Sequence, residues 1–90
     1  MNFLHQSFYA GPQDIVEVTL DKQANVMLLD GSEYDSYQKG KKFSYYGGLA
    51  TKSPFRIVPP RHTQWHLVVD LGGYGGTVRA GAQVLQGVNT

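Results

Sequence analysis

Three segments of this chain alternate apolar and polar residues with a period of two. No segment sustains a helical period for more than about two turns. In "DIVEVTLD" (14–21) Val16, Val18 and Leu20 fall on one side, with Glu17 and Thr19 on the other. "TQWHLVVDL" (63–71) puts Trp65, Leu67, Val69 and Leu71 on one face, and "TVRAGAQVL" (77–85) does the same with Val78, Ala80, Ala82 and Val84. Successive side chains of a strand point to opposite faces, so each segment has one face for a core and one for solvent or a covering layer. Strands of this kind must stack as two sheets or close into a barrel.

The remaining segments fit the same plan. "FLHQSFYA" (3–10) reads as a half-buried first strand and "GPQD" (11–14) as a turn, with Pro12 pre-setting φ. "NVMLLD" (25–30) is a short apolar run flanked by turn residues, which favours a buried strand over a helix. "KFSYYG" (42–47) reads as a strand and "GGLATKSP" (47–54) as a loop. In "PFRIVPP" Phe55 and Ile57 share a face, while Pro59 and Pro60 mean that the strand lies at a sheet edge or ends there. The one helical candidate is "DGSEYDSYQKG" (30–40). Ser32 and Asp35 have capping-box spacing, Gly40 suits the stop, and Tyr34 and Tyr37 share a face toward a sheet. The expected fold is all-β: a small antiparallel sandwich or flattened barrel of six to seven short strands, with one helix near 31–39. Its core should hold Val16, Val18, Leu20, Val26, Leu28, Phe55, Ile57, Trp65, Leu67, Val69, Val78 and Val84.

The glycines of "DLGGYGGTV" (70–78) invite comparison with phosphate-binding loops. A dinucleotide motif needs G-x-G-x-x-G followed by a helix, whereas Gly73 and Gly75 are followed by Val78 and then by period-two alternation. A P-loop needs Gly-Lys-Ser/Thr, and Gly76 is followed directly by Thr77. The glycines therefore read as a turn between adjacent antiparallel strands.

Size and composition narrow the function classes. Ninety residues suit one domain, here 1–85 with a frayed tail at 86–90, and a chain this short buries only about 60–65% of its unfolded surface. No apolar run approaches the roughly 20 residues of a membrane-spanning helix, and the N-terminus lacks the pattern of a signal peptide. The absence of cysteine excludes a disulfide framework, thiol catalysis and cysteine-based zinc sites. The simplest expectation is a cytoplasmic domain without a cofactor. The net charge of +1 is unevenly spread. Residues 1–35 carry Asp14, Glu17, Asp21, Asp30, Glu33 and Asp35 against Lys22 alone; residues 36–69 carry Lys39, Lys41, Lys42, Lys52, Arg56 and Arg61 with no acid. Either the basic half meets an anionic partner, or the two halves lie side by side and neutralise each other, which takes precedence.

Most site chemistries fail on spacing. His62 and His66 imitate a helical H-x-x-x-H, but on a strand they stand about 13 Å apart, too far to share one metal ion. "DGSEYD" lacks the ligand order of a calcium loop. No serine lies in a G-x-S-x-G elbow. An enzymatic reading would need a pocket joining Asp70 with His66 or His5, and Asp70 is more simply a carboxylate that accepts backbone N–H groups in the glycine turn. A stronger lead is "QKGKKFSYYGGLATKSPFRIVPPRHTQWH" (38–66), which interleaves bases with aromatics as single-strand-binding β-barrels do. Its candidate ligand-binding residues are Lys39, Lys41, Lys42, Tyr45, Tyr46, Arg56 and Arg61. Against it, the pI near 8.0 falls short of the value above about 9 usual for nucleic-acid-binding domains.

"YYGGLA" (45–50) and "WHLVVDLGGY" (65–74), with the segments around them over residues 2–85, resemble a small bacterial family catalogued as domain of unknown function 1883. The resemblance implies a compact, mainly β bacterial domain, with no activity or cofactor to carry over. Such domains are associated with fusion to signalling modules, which implies recognition over catalysis. More loosely, L-L-D-x-x-x-Y-x-x-Y-x-x-G with a late W-x-L-V-V-D resembles small jelly-roll-like sandwiches that bind sugars or peptides. The leading functional expectation is a non-enzymatic module that recognises a protein or small ligand. Next comes an anion or nucleic-acid binder using 38–66, and third a small enzyme.

Overall fold

The computed structural model describes residues 3–70 and 79–88. Seven strands, β1 (Phe3–Ala10), β2 (Ile15–Leu20), β3 (Ala24–Asp30), β4 (Tyr46–Ala50), β5 (Phe55–Ile57), β6 (Thr63–Asp70) and β7 (Ala80–Leu85), accompany one helix, α1 (Gly31–Gln38). They form two antiparallel sheets, a four-stranded β1-β6-β3-β4 and a three-stranded β5-β2-β7. The result is a sandwich, not a closed barrel. Only β3 and β4 are both paired and consecutive in the strand sequence, so nearly every ladder joins distant segments, and loop closure must precede most of the stabilising contacts.

The core lies between the sheets and follows the alternation. Val16, Val18, Val26, Leu28, Ile57, Trp65, Leu67 and Val69 are buried there, with Ala10, Ala24 and Ala50 filling the narrow places. Leu20, Phe55 and Val84 pack at its margin, partly buried; Val78 lies outside the described residues. The Trp65 indole N–H donates to the carbonyls of Ala10 at 3.1 Å and Arg61 at 3.3 Å, so this fully buried ring leaves no polar atom unsatisfied. Met27, Leu29 and Val68 point away from the main core and are buried beneath Tyr34, Tyr37 and Phe43. The central strands β3 and β6 are therefore covered on both faces, which explains their continuous apolar runs.

Three expectations change. The helix is capped by Asp30, not by Ser32: β3 arrives extended (φ −76°, ψ 177°), and Asp30 Oδ1 accepts from the Glu33 N–H at 2.8 Å. Because the last strand residue is itself the cap, α1 starts at once on leaving the sheet. At the other end Gly40 (φ +71°) donates to Tyr37 O and Lys41 N–H to Ser36 O, the Schellman arrangement. Second, "YGGLA" is a strand and residues 42–45 are not: Gly47 (φ +123°), where a Cβ would stand 2.2 Å from the Val26 carbonyl oxygen, lets β4 lie closer to β3 than a side chain would permit, and Gly48 also takes a positive φ (+149°). Third, the glycine segment does not join two paired strands. β6 is in the four-stranded sheet and β7 in the other, so residues 71–79 connect the sheets. The conformation expected for 71–78 lies outside the described residues. β5 is an edge strand and ends at Ile57, before Pro59 and Pro60. No helix among the described residues is long and apolar enough to cross a membrane.

Candidate functional site

The opposite charges of the two halves meet in space. Arg56 lies across from Glu17 in the β2–β5 register and pairs with it at 2.9 Å, and Gln83 Nε2 donates to the same carboxylate at 3.0 Å. Arg61 pairs with Asp30, and Lys39 with Asp35 at 2.9 Å. Each of these acids comes from residues 1–35, so half of the basic set is neutralised within the fold. Lys41, Lys42 and Lys52 are exposed and make no ion pair among the described residues. The candidates do not form one surface. Arg56 is on the outer face of the three-stranded sheet, whereas Lys39, Lys41 and Lys42 follow α1 on the outer side of the other sheet. Tyr45, Tyr46 and Arg61 do come together.

They meet in a cleft of about 210 Å³ bounded by Asp30, Glu33, Ser44, Tyr45, Tyr46 and Arg61. Its local construction begins with α1. Capping fixes Asp30, one turn of helix brings Glu33 alongside, and the Glu33 carboxylate accepts the Ser44 N–H, which holds the approach to β4 against the helix. Arg61 reaches in over Trp65, its guanidinium 5.2 Å from the ring centroid, and Tyr46 meets the same ring edge-on at 5.9 Å. The helix N–H of Glu33, with help from Arg61 and against the effect of burial, holds the Asp30 carboxyl below the usual carboxylate range. Tyr45, tilted against Phe43 at 5.9 Å, and Tyr46 remain 45% and 47% exposed. Two other hollows, of about 160 and 200 Å³, contain no aromatic ring.

A second cluster sits on the outer face of β1 and β6, where His66 was expected to point opposite Trp65. His5 Nε2 and His66 Nδ1 are 2.9 Å apart, with ring planes within 11°. Tyr34 of α1 stacks on both imidazoles, at 4.4 Å from His5 and 4.3 Å from His66. The two rings meet edge to edge, and either ring N–H can donate along the N···N line according to its tautomer. Burial first, and then His5, lower the His66 pKa, and Asp30 opposes them. The pairing across 61 residues could not be read from spacing, although His5 and His66 were both candidates. Asp70 accepts from Asn25 Nδ2 at 3.3 Å and lies near enough to Tyr37, whose ring stacks on Tyr34, to add to burial in raising that phenol's pKa; the turn N–H groups expected to bind Asp70 lie outside the described residues. Among the described residues no three His, Asp or Glu side chains gather into a metal site.

The histidine pair predicts acid sensitivity. With its folded pKa lowered, His66 is protonated more readily in the unfolded chain. Its neutral form therefore contributes stability above the ordinary value of 6.5, and this is lost as pH falls through and below it. The carboxylates Asp14, Glu17 and Asp30 are depressed below 3.8–4.5, so their contribution is lost only at still lower pH. Urea unfolding from about pH 7.5 to 5.5 should show stability falling in the wild type and a flatter profile in His66→Gln. Equal slopes would remove the pair as the cause.

No curated protein and no solved structure matches the chain. A family model described as domain of unknown function (DUF1883) matches residues 1–87, nearly the whole described sandwich together with its cleft and histidine pair. The chain belongs to the DUF1883 family.

Proposed function

We propose that this domain is a recognition module that binds a segment of a polypeptide at the Tyr45–Tyr46 cleft. The observation that carries the reading is the size and lining of that cleft. About 210 Å³ is below the roughly 300–1,000 Å³ of cofactor and drug-like pockets, and it suits one or two side chains of a larger partner. Exposed tyrosines beside a fixed arginine are the residue types that dominate binding energy at protein interfaces. Among the described residues the cleft holds no nucleophile paired with a base, and the His5–His66 pair lies on the outer face of β1 and β6.

Selection of peptides from a random library on the immobilised domain tests this. Selected peptides should lose binding to Tyr45→Ala and Tyr46→Ala by about tenfold or more, as hot-spot truncations do. Retained affinity in both variants would reject the cleft. The runner-up is an anion or nucleic-acid binder, favoured by the exposed Lys41 and Lys42, which make no ion pair among the described residues and precede the two exposed tyrosines in the chain. It requires oligonucleotide binding that weakens steeply with salt, read from the fluorescence of Trp65, the only tryptophan.

A further inference from the structure

We infer that the cleft accepts the guanidinium of an arginine side chain on the polypeptide partner, an inference that rests on the recognition reading above. Among the described residues, those bounding the cleft include Asp30, Glu33 and a single base, Arg61, which together carry a net negative charge. At the edge of the cleft one cation is already held: the chain's own Arg61 pairs with Asp30 and lies over Trp65, a buried ring behind the lining. Arg61 thus shows a guanidinium held between a carboxylate and an aromatic face next to the cleft. A planar guanidinium pairs with a carboxylate and lies on an aromatic face at the same time, which a compact ammonium does less well. Asp30 is committed to the helix cap and to Arg61. Glu33 uses Oε2 for Ser44, which leaves Oε1 for an incoming donor. The half-exposed faces of Tyr45 and Tyr46 provide the stacking surface. An anion entering the same cleft would meet Glu33, and the one cation there is already paired.

The test titrates the 15N-labelled full chain with four blocked tripeptides whose central residue is arginine, citrulline, glutamate or phenylalanine, and with free arginine. The arginine tripeptide should shift the amides of Glu33, Ser44, Tyr45 and Tyr46 saturably, in about the millimolar range for a single side chain. Citrulline keeps the shape without the charge and should bind at least about tenfold more weakly, and Glu33→Gln should weaken arginine binding by a similar factor. Tyr45→Ala, at an exposed position, provides a second variant should Glu33→Gln disturb the Ser44 contact; it too should weaken binding. Equal shifts from arginine and citrulline would overturn the inference. So would glutamate binding abolished in Arg61→Ala, or free arginine binding more tightly than the tripeptide. If the phenylalanine tripeptide alone shifts these amides, recognition stands and the cation assignment falls. If no tripeptide shifts them, both fall.

Discussion

Trp65→Ala is expected to destabilise the domain by about 3–5 kcal/mol, a large share of the 5–15 kcal/mol typical of a whole domain. The ring is fully buried between the sheets. It is the largest of the fully buried side chains, so its removal leaves a cavity that rigid strands on both sides cannot fill. Truncation also orphans the Ala10 carbonyl, which accepts its indole N–H, and takes away the surface on which Arg61 and Tyr46 rest. Trp65→Phe keeps much of the volume and should cost clearly less. Equilibrium urea unfolding of the two variants measures both effects. A change below about 1 kcal/mol in the alanine variant would mean that Trp65 does not hold the sheets together.

How far the sequence could be read depended on what set each feature. Burial of one strand face is a local pattern, so Val16, Val18, Trp65, Leu67 and Val69 were placed correctly from alternation alone. So were Tyr34 and Tyr37, whose spacing of three aims both at the sheet beneath. What failed was set by the neighbours of a segment in space. Nothing local says that "YGGLA" is a strand, because its glycines oppose strand propensity; Gly47 is there for the closeness of β3. Nothing local says that β6 and β7 separate into different sheets, because hairpin and crossover share the same turn residues.

The candidate site divided along the same line. The opposite charges of residues 1–35 and 36–69 were visible, and so was the prospect of their neutralisation. Which base met which acid depended on strand register. Glu17 faces Arg56 only because β2 pairs with β5, and Asp30 meets Arg61 only because β3 lies beside β6. The cleft arises from that arrangement. Tyr45, Tyr46 and Arg61 were named from composition, whereas Asp30 and Glu33, read only as part of the helical stretch 30–40, bound the same cleft.

Gly47→Ala should be at least as damaging as the loss of a core side chain, by about 3 kcal/mol or more, although it adds a single methyl group. A Cβ on Gly47 would stand 2.2 Å from the carbonyl oxygen of Val26, and φ at Gly47 is +123°, where L side chains are strained. Val26 cannot give way, because β3 is paired on both sides, to β6 and to β4. The strain must therefore be relieved by moving β4 outward, which breaks its ladder to β3 and carries Tyr46, the residue before Gly47, away from Trp65 and the cleft. Gly48→Ala separates the two contributions. At φ +149° it is strained in the same sense, but nothing lies within 4 Å of its Cβ, so it should lose only the conformational part, about 1–3 kcal/mol. Urea midpoints for the two variants give the comparison, and the edge-on contact of Tyr46 with Trp65 supplies a local signal in tryptophan fluorescence. If the two alanines cost the same, the close approach of β4 to β3 is not what requires glycine at 47. A larger loss at 47, together with altered Trp65 emission, would show that the open faces of Tyr45 and Tyr46 depend on a glycine next to them in the chain.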